Sequence, residues 1–249
     1  MGRALEVALI DVGGTLWPNS WPFRQTDATG RMQRLARALP DLDEATVSAL
    51  GGDLIAYSRA GDETPGISTA DFIAVSGPAE TLITNCLTRH RLPSDPETVR
   101  RIRRAMALPV HDRMKPLPGA ADLLVTIHEL GMRNVITSNT YWRDSESYWE
   151  DFRLLGLAEH IDNIVTSNDA GHLKPHPAIF ETAMRWAGVA PVQCVVIGNS
   201  EANDVEPALK LGMASILVYP DDPKPASSRA TRTAADLWAC ALALRDMLG

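Results

Sequence analysis

The sequence predicts an α/β protein with a Rossmann-like parallel sheet, helices on both faces of that sheet, and an inserted all-helical segment. Three observations predict this fold. A short apolar run at 5–10 ends abruptly at Asp11 and two glycines, which is typical of a parallel strand buried on both faces. The stretch 17–114 shows helical periodicity without a strand pattern. After 116–119, helix-length apolar stripes alternate with short apolar runs, as they do in βαβ units.

The inserted stretch contains at least two amphipathic helices. Each of them presents apolar residues at helical spacing on one face. These residues are Met32, Leu35, Ala36 and Leu39 in the first helix and Val99, Ile102 and Met106 in the second. The second helix begins at 94–97, Ser-Asp-Pro-Glu, where the pattern indicates a capping box with proline at the first helical position. We therefore expect a helical cap over 17–114 and an α/β core made of 1–16 and 115–249.

The core continues with alternating helices and strands. One helical stripe ends at Gly131, a residue that suits a C-terminal cap. Further strands are expected at 134–137, 161–166, 195–197 and 215–218, with helices between them at 176–187 and 205–211. Strands separated by single helices imply right-handed crossovers, so the sheet is expected to be parallel.

Charge and composition limit the classes of partner. The 249 residues include 24 basic and 31 acidic side chains, which give a formal net charge of −7, and 45% of the residues are hydrophobic. This balance is ordinary for a globular protein. It argues against a nucleic-acid partner or an anionic membrane surface, since both attract basic proteins. We expect a small-molecule partner, and the sequence carries no signal for an oligomeric state.

The cysteines and the apolar runs bear on the cellular compartment. Cys86, Cys194 and Cys240 are odd in number and far apart, so we expect buried thiols in a reducing compartment. No apolar run reaches the ~18 residues of a membrane span. The stretch 1–6 lacks the architecture of a signal peptide. These observations predict a cytoplasmic protein.

Polar side chains follow the predicted strands where each strand ends. Asp11 follows the first strand, and Ser138 and Asn139 follow the second. Asp204 lies shortly after a third strand, and Lys174 lies just before a predicted helix. Ligands of open parallel sheets bind beyond the carboxyl ends of the strands, so these groups are expected to meet at one edge. Together they could bind a phosphoryl group, with Asp11 as the nucleophile.

Four stretches, in order, resemble the motifs of the haloacid dehalogenase superfamily. They are 9–16 (LIDVGGTL), 135–139 (VITSN), 174–180 (KPHPAIF) and 196–204 (VIGNSEAND). Each lies at the end of a predicted strand or the start of a predicted helix. The inserted helices match the position of that family's helical cap. The resemblance implies a hydrolase with an α/β core and an inserted cap.

The resemblance implies roles for the catalytic residues. Asp11 would attack the substrate and become a covalent aspartyl ester. Ser138 would hydrogen-bond the transferring group, and Lys174 would offset the charge shared by nucleophile and substrate. The aromatic residues that follow the nucleophile loop could line the pocket or only pack the cap. The expected substrate-binding residues are Gly13, Gly14, Thr15, Asn139, Trp17 and Trp21.

The metal implied by the resemblance is Mg²⁺. It would be held by Asp11, the backbone carbonyl of Gly13 and Asn199, and Asp204 would order its waters, as suits a hard cation. Two positions depart from the phosphatase pattern. Gly13 replaces an aspartate that acts as general acid and base, a loss typically worth about 10²–10⁴ in rate. Asn199 replaces a second aspartate, so the metal affinity is expected to be lower.

Mg²⁺-dependent hydrolysis of a small phosphorylated metabolite through an aspartyl phosphate is the leading hypothesis. A second hypothesis is metal-independent displacement at carbon, as in the dehalogenase branch. Halide leaves without a proton, so the absence of an acid at Gly13 would not slow that reaction. The stretch 198–200, Gly-Asn-Ser, resembles the phosphatase form of the fourth motif instead. A third hypothesis is a catalytically weakened relative that binds a phosphorylated metabolite or a protein partner.

Other interpretations of single features are weaker or excluded. The stretch 17–114 contains no lysine, which excludes the phosphonate-cleaving branch with its cap lysine. The loop after Asp11 also resembles the phosphate loop of actin-like sugar kinases, but the second such turn of those proteins is missing. Asn199 and Asp204 could instead cap the following helix. The arginines of 100–104 are expected to form a solvated helix face.

Overall fold

The computed structural model describes residues 5–18, 28–62, 78–107, 115–220 and 225–249, with the side chains of 57–62 set aside. Within these ranges six strands form one parallel sheet: β1 (Val7–Ile10), β2 (Arg133–Ser138), β3 (Asn163–Thr166), β4 (Cys194–Gly198), β5 (Ala214–Val218) and β6 (Arg232–Ala234). Their order across the sheet is β3-β2-β1-β4-β5-β6, and every neighbouring pair is parallel. The predicted α/β class is confirmed. The short edge strand β6 was not predicted.

The chain divides into two compact units. The core unit comprises Met1–Ser20, Val110–Asn139 and Asp144–Gly249. The helical unit comprises Trp21–Pro109 and Thr140–Arg143. The second stretch of the helical unit follows directly after β2, and no pattern in the sequence separates it from the core.

The helical unit contains four helices and no strand in its described part. These helices are α1 (Ala28–Ala38), α2 (Glu44–Asp62), α3 (Ala79–Arg89) and α4 (Pro96–Met106). The predicted apolar face of α4 is buried, and Trp142 from the short second stretch belongs to the same apolar cluster. Helix α4 begins at Asp95, whose side chain accepts the N–H of Thr98, with proline at the next position. The cap is therefore this aspartate, and the capping box predicted over 94–97 is wrong in detail.

The prediction of a solvated arginine face on α4 is wrong for Arg103. Arg100 is exposed, as predicted, whereas only 5% of Arg103 is exposed. Helix α4 packs against both α1 and α3, so more of its circumference is covered than its one apolar stripe indicates. Glu80 of α3 lies 3.9 Å from Nε of Arg103 and supplies a carboxylate on that side.

Six helices belong to the core unit within the described ranges. They are α5 (Ala120–Glu129), α6 (Ser145–Leu154), α7 (Ser167–Ala170), α8 (Ala178–Ala187), α9 (Glu206–Leu211) and α10 (Leu237–Leu248), and a π-helical turn at Glu201–Val205 precedes α9. Helix α8 packs on the sheet face that carries Val7 and Leu9. Ala8 and Ile10 point to the opposite face and are fully buried as well, so both faces of β1 are covered.

Strand β1 lies at the centre of the sheet and aligns three strand ends. It pairs with β2 on one side and β4 on the other, so that Ile10 lies opposite Ile136 and Ile197. Because the strands are parallel, the residues after these positions emerge at the same edge. This edge receives the residues that follow β1, β2 and β4, which is where the sequence places its polar side chains.

The three cysteines, Cys86, Cys194 and Cys240, are buried and unpaired, as expected. Burial raises the pKa of the Cys194 thiol to about 11.

Within the part of the chain that the structure describes, none of the helices has both the length and the apolar character needed to cross a membrane.

Candidate active site

Asp11 lies just beyond β1, and backbone hydrogen bonds fix its loop. Its N–H donates to the carbonyl of Ile197 at 2.8 Å, which ties it to β4. The loop turns through Gly14, whose φ of 76° lies in the left-handed region that favours glycine. Thr15 then donates its hydroxyl proton to Oδ2 of Asp11 at 3.2 Å. The short run from Val12 to Thr15 therefore sets the direction of the Asp11 carboxylate.

Lys174 joins the polar groups at this edge through its ammonium group. Its Nζ atom donates to Oδ1 of Asp11 and to Oδ1 of Asp204, each at 2.7 Å, and to the carbonyl of Thr137 at 3.0 Å. Only 1% of Lys174 is exposed, so all three ammonium hydrogens are used inside the protein. The structure thus brings together three of the predicted catalytic residues. Their catalytic roles stay predictions.

Burial and charge act in opposite directions on these groups. Burial disfavours the charged form of Lys174, but the carboxylates of Asp11 and Asp204 outweigh it and raise the lysine pKa above its ordinary value. Burial, reinforced by Asp11, raises the pKa of Asp204 to about 6, although Lys174 opposes the shift. A protonated lysine therefore lies between two carboxyl groups that are hidden from water.

Asp204 is also held by its own turn. Ser200 begins the π-helical turn, and its N–H donates to Oδ2 of Asp204 at 3.1 Å. Gly198, at the end of β4, leaves room for this approach, because a Cβ there would lie 2.8 Å from Cβ of Asp204 and closer still to its carboxyl group. The cap of this turn is Ser200, whose hydroxyl accepts the N–H of Asn203 at 3.1 Å, so the interpretation of Asn199 and Asp204 as caps is wrong. Asp204 instead accepts the N–H of the capping residue. It also pairs with Lys174, which that interpretation does not explain.

Asn139 holds the backbone of Lys174. Its Oδ1 atom accepts the N–H of Lys174 at 2.7 Å, and its Nδ2 atom donates to the carbonyl of the same residue at 3.0 Å. These two bonds fix the point from which the lysine side chain extends toward Asp11. The amide of Asn139 is engaged at both ends, and its predicted contact with substrate stays a prediction.

Ser138, the last residue of β2, lies against an aromatic cluster. Its hydroxyl oxygen is 3.2 Å from the phenolic oxygen of Tyr148, and either group can donate. The ring of Tyr148 stacks on Trp17 with centroids 5.7 Å apart and planes 16° apart. Phe152 lies 5.0 Å from the Trp17 ring. The sequence alone does not indicate that Tyr148 contacts Ser138, because this contact depends on how α6 packs.

The remaining predicted residues lie in or near the same loops. Gly13 is in the loop after Asp11, where it forms a β-bridge with Trp17. Trp17 is buried in the core unit. Asn199 is half-buried and directly precedes Ser200. Trp21, also predicted to contact substrate, lies outside the described residues.

Comparison with known proteins agrees with this arrangement. A family model described as haloacid dehalogenase-like hydrolase matches residues 5–212. A glyceraldehyde 3-phosphate phosphatase of Methanothermobacter thermautotrophicus is 33% identical over 105 residues, which cover 42% of this chain and 45% of that protein. The chain spans about half the length of the curated relatives that it matches.

Solved structures share the fold over nearly the whole chain. A 2-haloacid dehalogenase from Pseudomonas syringae pv. Tomato DC3000 aligns with a TM-score of 0.59 and 19% identity, covering 98% of this chain and 100% of that one. The magnesium-bound HAD hydrolase YfnB from Bacillus subtilis aligns with a TM-score of 0.55 and 16% identity, covering 97% and 99%. At these identities the likeness shows the fold alone.

The parallel sheet, with a lysine buried between two carboxyl groups at its carboxyl edge, and the family match define an α/β hydrolase. The chain belongs to the haloacid dehalogenase-like hydrolases. The resemblance that the four motifs carry is therefore confirmed. The match over 5–212 includes all four motifs and both stretches of the helical unit.

Proposed function

We propose that this hydrolase is a phosphatase that acts on a small phosphorylated metabolite through an aspartyl phosphate on Asp11. The observation that supports it most directly is the buried contact of Lys174 with both Asp11 and Asp204 at 2.7 Å. A fixed cation at this place offsets the negative charge that builds up when a carboxylate meets a phosphoryl group. The partial match to a glyceraldehyde 3-phosphate phosphatase also supports a phosphorylated substrate.

In the proposed reaction, a carboxylate oxygen of Asp11 forms a bond to phosphorus while the ester P–O bond breaks. Ser138 hydrogen-bonds a phosphoryl oxygen during this transfer. Water then attacks the phosphorus of the aspartyl phosphate and gives up a proton to solvent, while the P–O bond to Asp11 breaks; this step releases inorganic phosphate and restores the carboxylate. The leaving oxygen of the first step takes a proton from solvent, because Gly13 has no side chain to supply one. Substrates with good leaving groups are therefore expected to react fastest.

The residues present fit a magnesium ion. The available donors are oxygen atoms, namely the Asp11 carboxylate, the Gly13 carbonyl and the Asn199 amide, and Mg²⁺ prefers such ligands together with water. Among the described residues, no cluster of three or more His, Cys, Asp or Glu side chains could hold a metal, so backbone oxygen and water would complete the shell. When bound, Mg²⁺ would withdraw negative charge from the phosphoryl oxygens. Asp204, fixed by Lys174, would orient the water around it.

Gly13 favours a second candidate, displacement at carbon without a metal. Halide needs no proton when it leaves, so the missing acid has no cost in that reaction. Asp11 would attack the carbon that carries the halogen, and water would hydrolyse the resulting ester. The substrate in both cases is a small anion.

The cytoplasmic location predicted from the sequence stays a prediction.

A substrate screen separates these candidates. Purified protein is assayed with phosphorylated metabolites, glyceraldehyde 3-phosphate among them, and with 2-haloacids, each with Mg²⁺ and with chelator. Phosphate release that requires Mg²⁺ supports the phosphatase, and halide release in chelator supports displacement at carbon. Asp11→Asn is the matched control, since the amide is nearly isosteric but a poor nucleophile. No release from either panel, with thermal stabilisation by a phosphorylated compound, would indicate a binding protein instead.

A further inference from the structure

We propose that Tyr148 is a positioning residue that orients the hydroxyl group of Ser138 toward the transferring phosphoryl group; this inference rests on the proposed function. The two side-chain oxygens lie 3.2 Å apart. Both residues are buried, with 3% of Ser138 and 6% of Tyr148 exposed, so water competes little for this contact. Tyr148 lies on α6, outside the four family motifs.

The chemistry of the two hydroxyl groups determines the direction of the hydrogen bond during catalysis. A serine hydroxyl has a single hydrogen to donate and two lone pairs that accept. When Ser138 gives its hydrogen to a phosphoryl oxygen, its own oxygen can only accept from Tyr148. The Tyr148 hydroxyl carries a hydrogen of its own and can donate it to the serine oxygen. A hydrogen bond donated by Tyr148 therefore keeps the serine hydrogen available for a phosphoryl oxygen.

The position of Tyr148 is fixed on two sides. Helix α6 begins at Asp144, whose side chain accepts the N–H of Ser147 at 2.9 Å, and the backbone N–H of Tyr148 donates to the carbonyl of Asp144. On the other side, the Tyr148 ring stacks on Trp17. The carbonyl of Trp17 accepts the N–H of Gly14 at 2.7 Å, in the loop that follows the nucleophile. Tyr148 therefore links the nucleophile loop to the end of β2.

A double-mutant cycle on the full chain tests this inference. Tyr148→Phe removes the hydroxyl and keeps the ring that stacks on Trp17. With p-nitrophenyl phosphate and Mg²⁺, we expect kcat to fall about tenfold, as for the loss of one hydrogen bond, while KM changes less than twofold. In a Ser138→Ala background the same change is expected to lower kcat less than twofold, because there is no longer a hydroxyl to orient. Phe152→Leu is the matched control, because it loosens the same aromatic cluster. It should lower Tm, and its effect on kcat should not depend on whether Ser138 is present.

The outcomes distinguish this inference from the proposed function. If Tyr148→Phe lowers kcat by the same factor with and without the Ser138 hydroxyl, the positioning role is wrong. The proposed phosphatase function is not affected by that result. A similar loss of kcat in Phe152→Leu also overturns the positioning role, since the effect would then come from packing. A wild-type protein that hydrolyses no phosphate ester contradicts the proposed function, and the role of Tyr148 falls with it. Circular dichroism confirms that each variant is folded.

Discussion

Gly198 and Asp204 lie so close together that no other residue fits at position 198 without moving the aspartate. A Cβ atom on Gly198 would lie 2.8 Å from Cβ of Asp204 and would overlap its carboxyl group. Asp204 in turn donates no hydrogen but accepts one from Lys174 and one from the Ser200 backbone. The end of β4 therefore packs directly against the Asp204 side chain, and a larger residue at position 198 would displace that carboxylate.

The first prediction is that Gly198→Ala lowers both stability and activity. The methyl group must displace Asp204, and overpacking of this kind costs about 1–3 kcal/mol in the free energy of unfolding. Activity should fall further, because the pairing of Asp204 with Lys174 is disturbed. The matched control is Gly52→Ala in α2, where an added Cβ meets nothing within 4 Å. Denaturant unfolding should show Gly52→Ala neutral or stabilised by about 0.5–1 kcal/mol.

The second prediction is that Lys174→Met destabilises the protein as well as inactivating it. Removing the ammonium leaves two buried carboxyl groups without their cation, which typically costs about 3–5 kcal/mol. Lys210→Met is the matched control, because Lys210 is 74% exposed and its surface pair with Glu206 is 3.9 Å long. Its loss should cost no more than about 1 kcal/mol. Equal unfolding free energies for the two variants would show that the buried pair is not formed in solution.

The third prediction concerns the raised pKa of Asp204, about 6 against an ordinary 3.8. Between these values the folded protein binds more protons at this site than the unfolded chain, so stability from this group falls as pH rises from about 4 to 6. Asp204→Asn lacks this titration. Without added metal, the unfolding free energy of the wild type should decline relative to that of Asp204→Asn over this range. Parallel pH profiles for the two proteins would contradict the shift.

The fourth prediction is that Asn199→Asp lowers the Mg²⁺ concentration needed for half-maximal activity. A carboxylate binds a hard cation better than an amide does, so the midpoint should fall several-fold. Thermal stabilisation by MgCl₂ without substrate gives a second readout and should shift to lower concentrations in the same variant. An unchanged midpoint in both measurements would place Asn199 outside the metal site.

The sequence predicts those parts of the site that depend on strand order. An apolar run that stops at Asp11, and polar residues after two later strands, suffice to place these side chains at one edge of a parallel sheet. The sheet register then aligns Ile10 with Ile136 and Ile197, which confirms the meeting point. The position of Lys174 just before a predicted helix also places it at this edge, and its contact with Asp11 joins residues that are 163 positions apart.

Other features depend on tertiary packing and leave little trace in the sequence. Tyr148 reaches Ser138 only because α6 packs against β3, the strand next to β2, and the residues around Tyr148 in the sequence do not indicate this contact. Strand β6 has three residues, two of them exposed, so it shows no apolar run. Arg103 is buried because two helices cover α4, whereas a basic cluster of this kind usually faces water. Each of these outcomes depends on neighbours that are distant along the chain.

The enclosure of Lys174 has a consequence for chemical labelling. An amine reacts with acylating reagents through its neutral form, and this lysine is kept protonated, covered and bonded through all three hydrogens. Lys115 and Lys210 are exposed and should be modified readily. Acylation of Lys174 therefore reports the opening of the sheet edge, and its rate measures how often the native protein exposes the candidate active site.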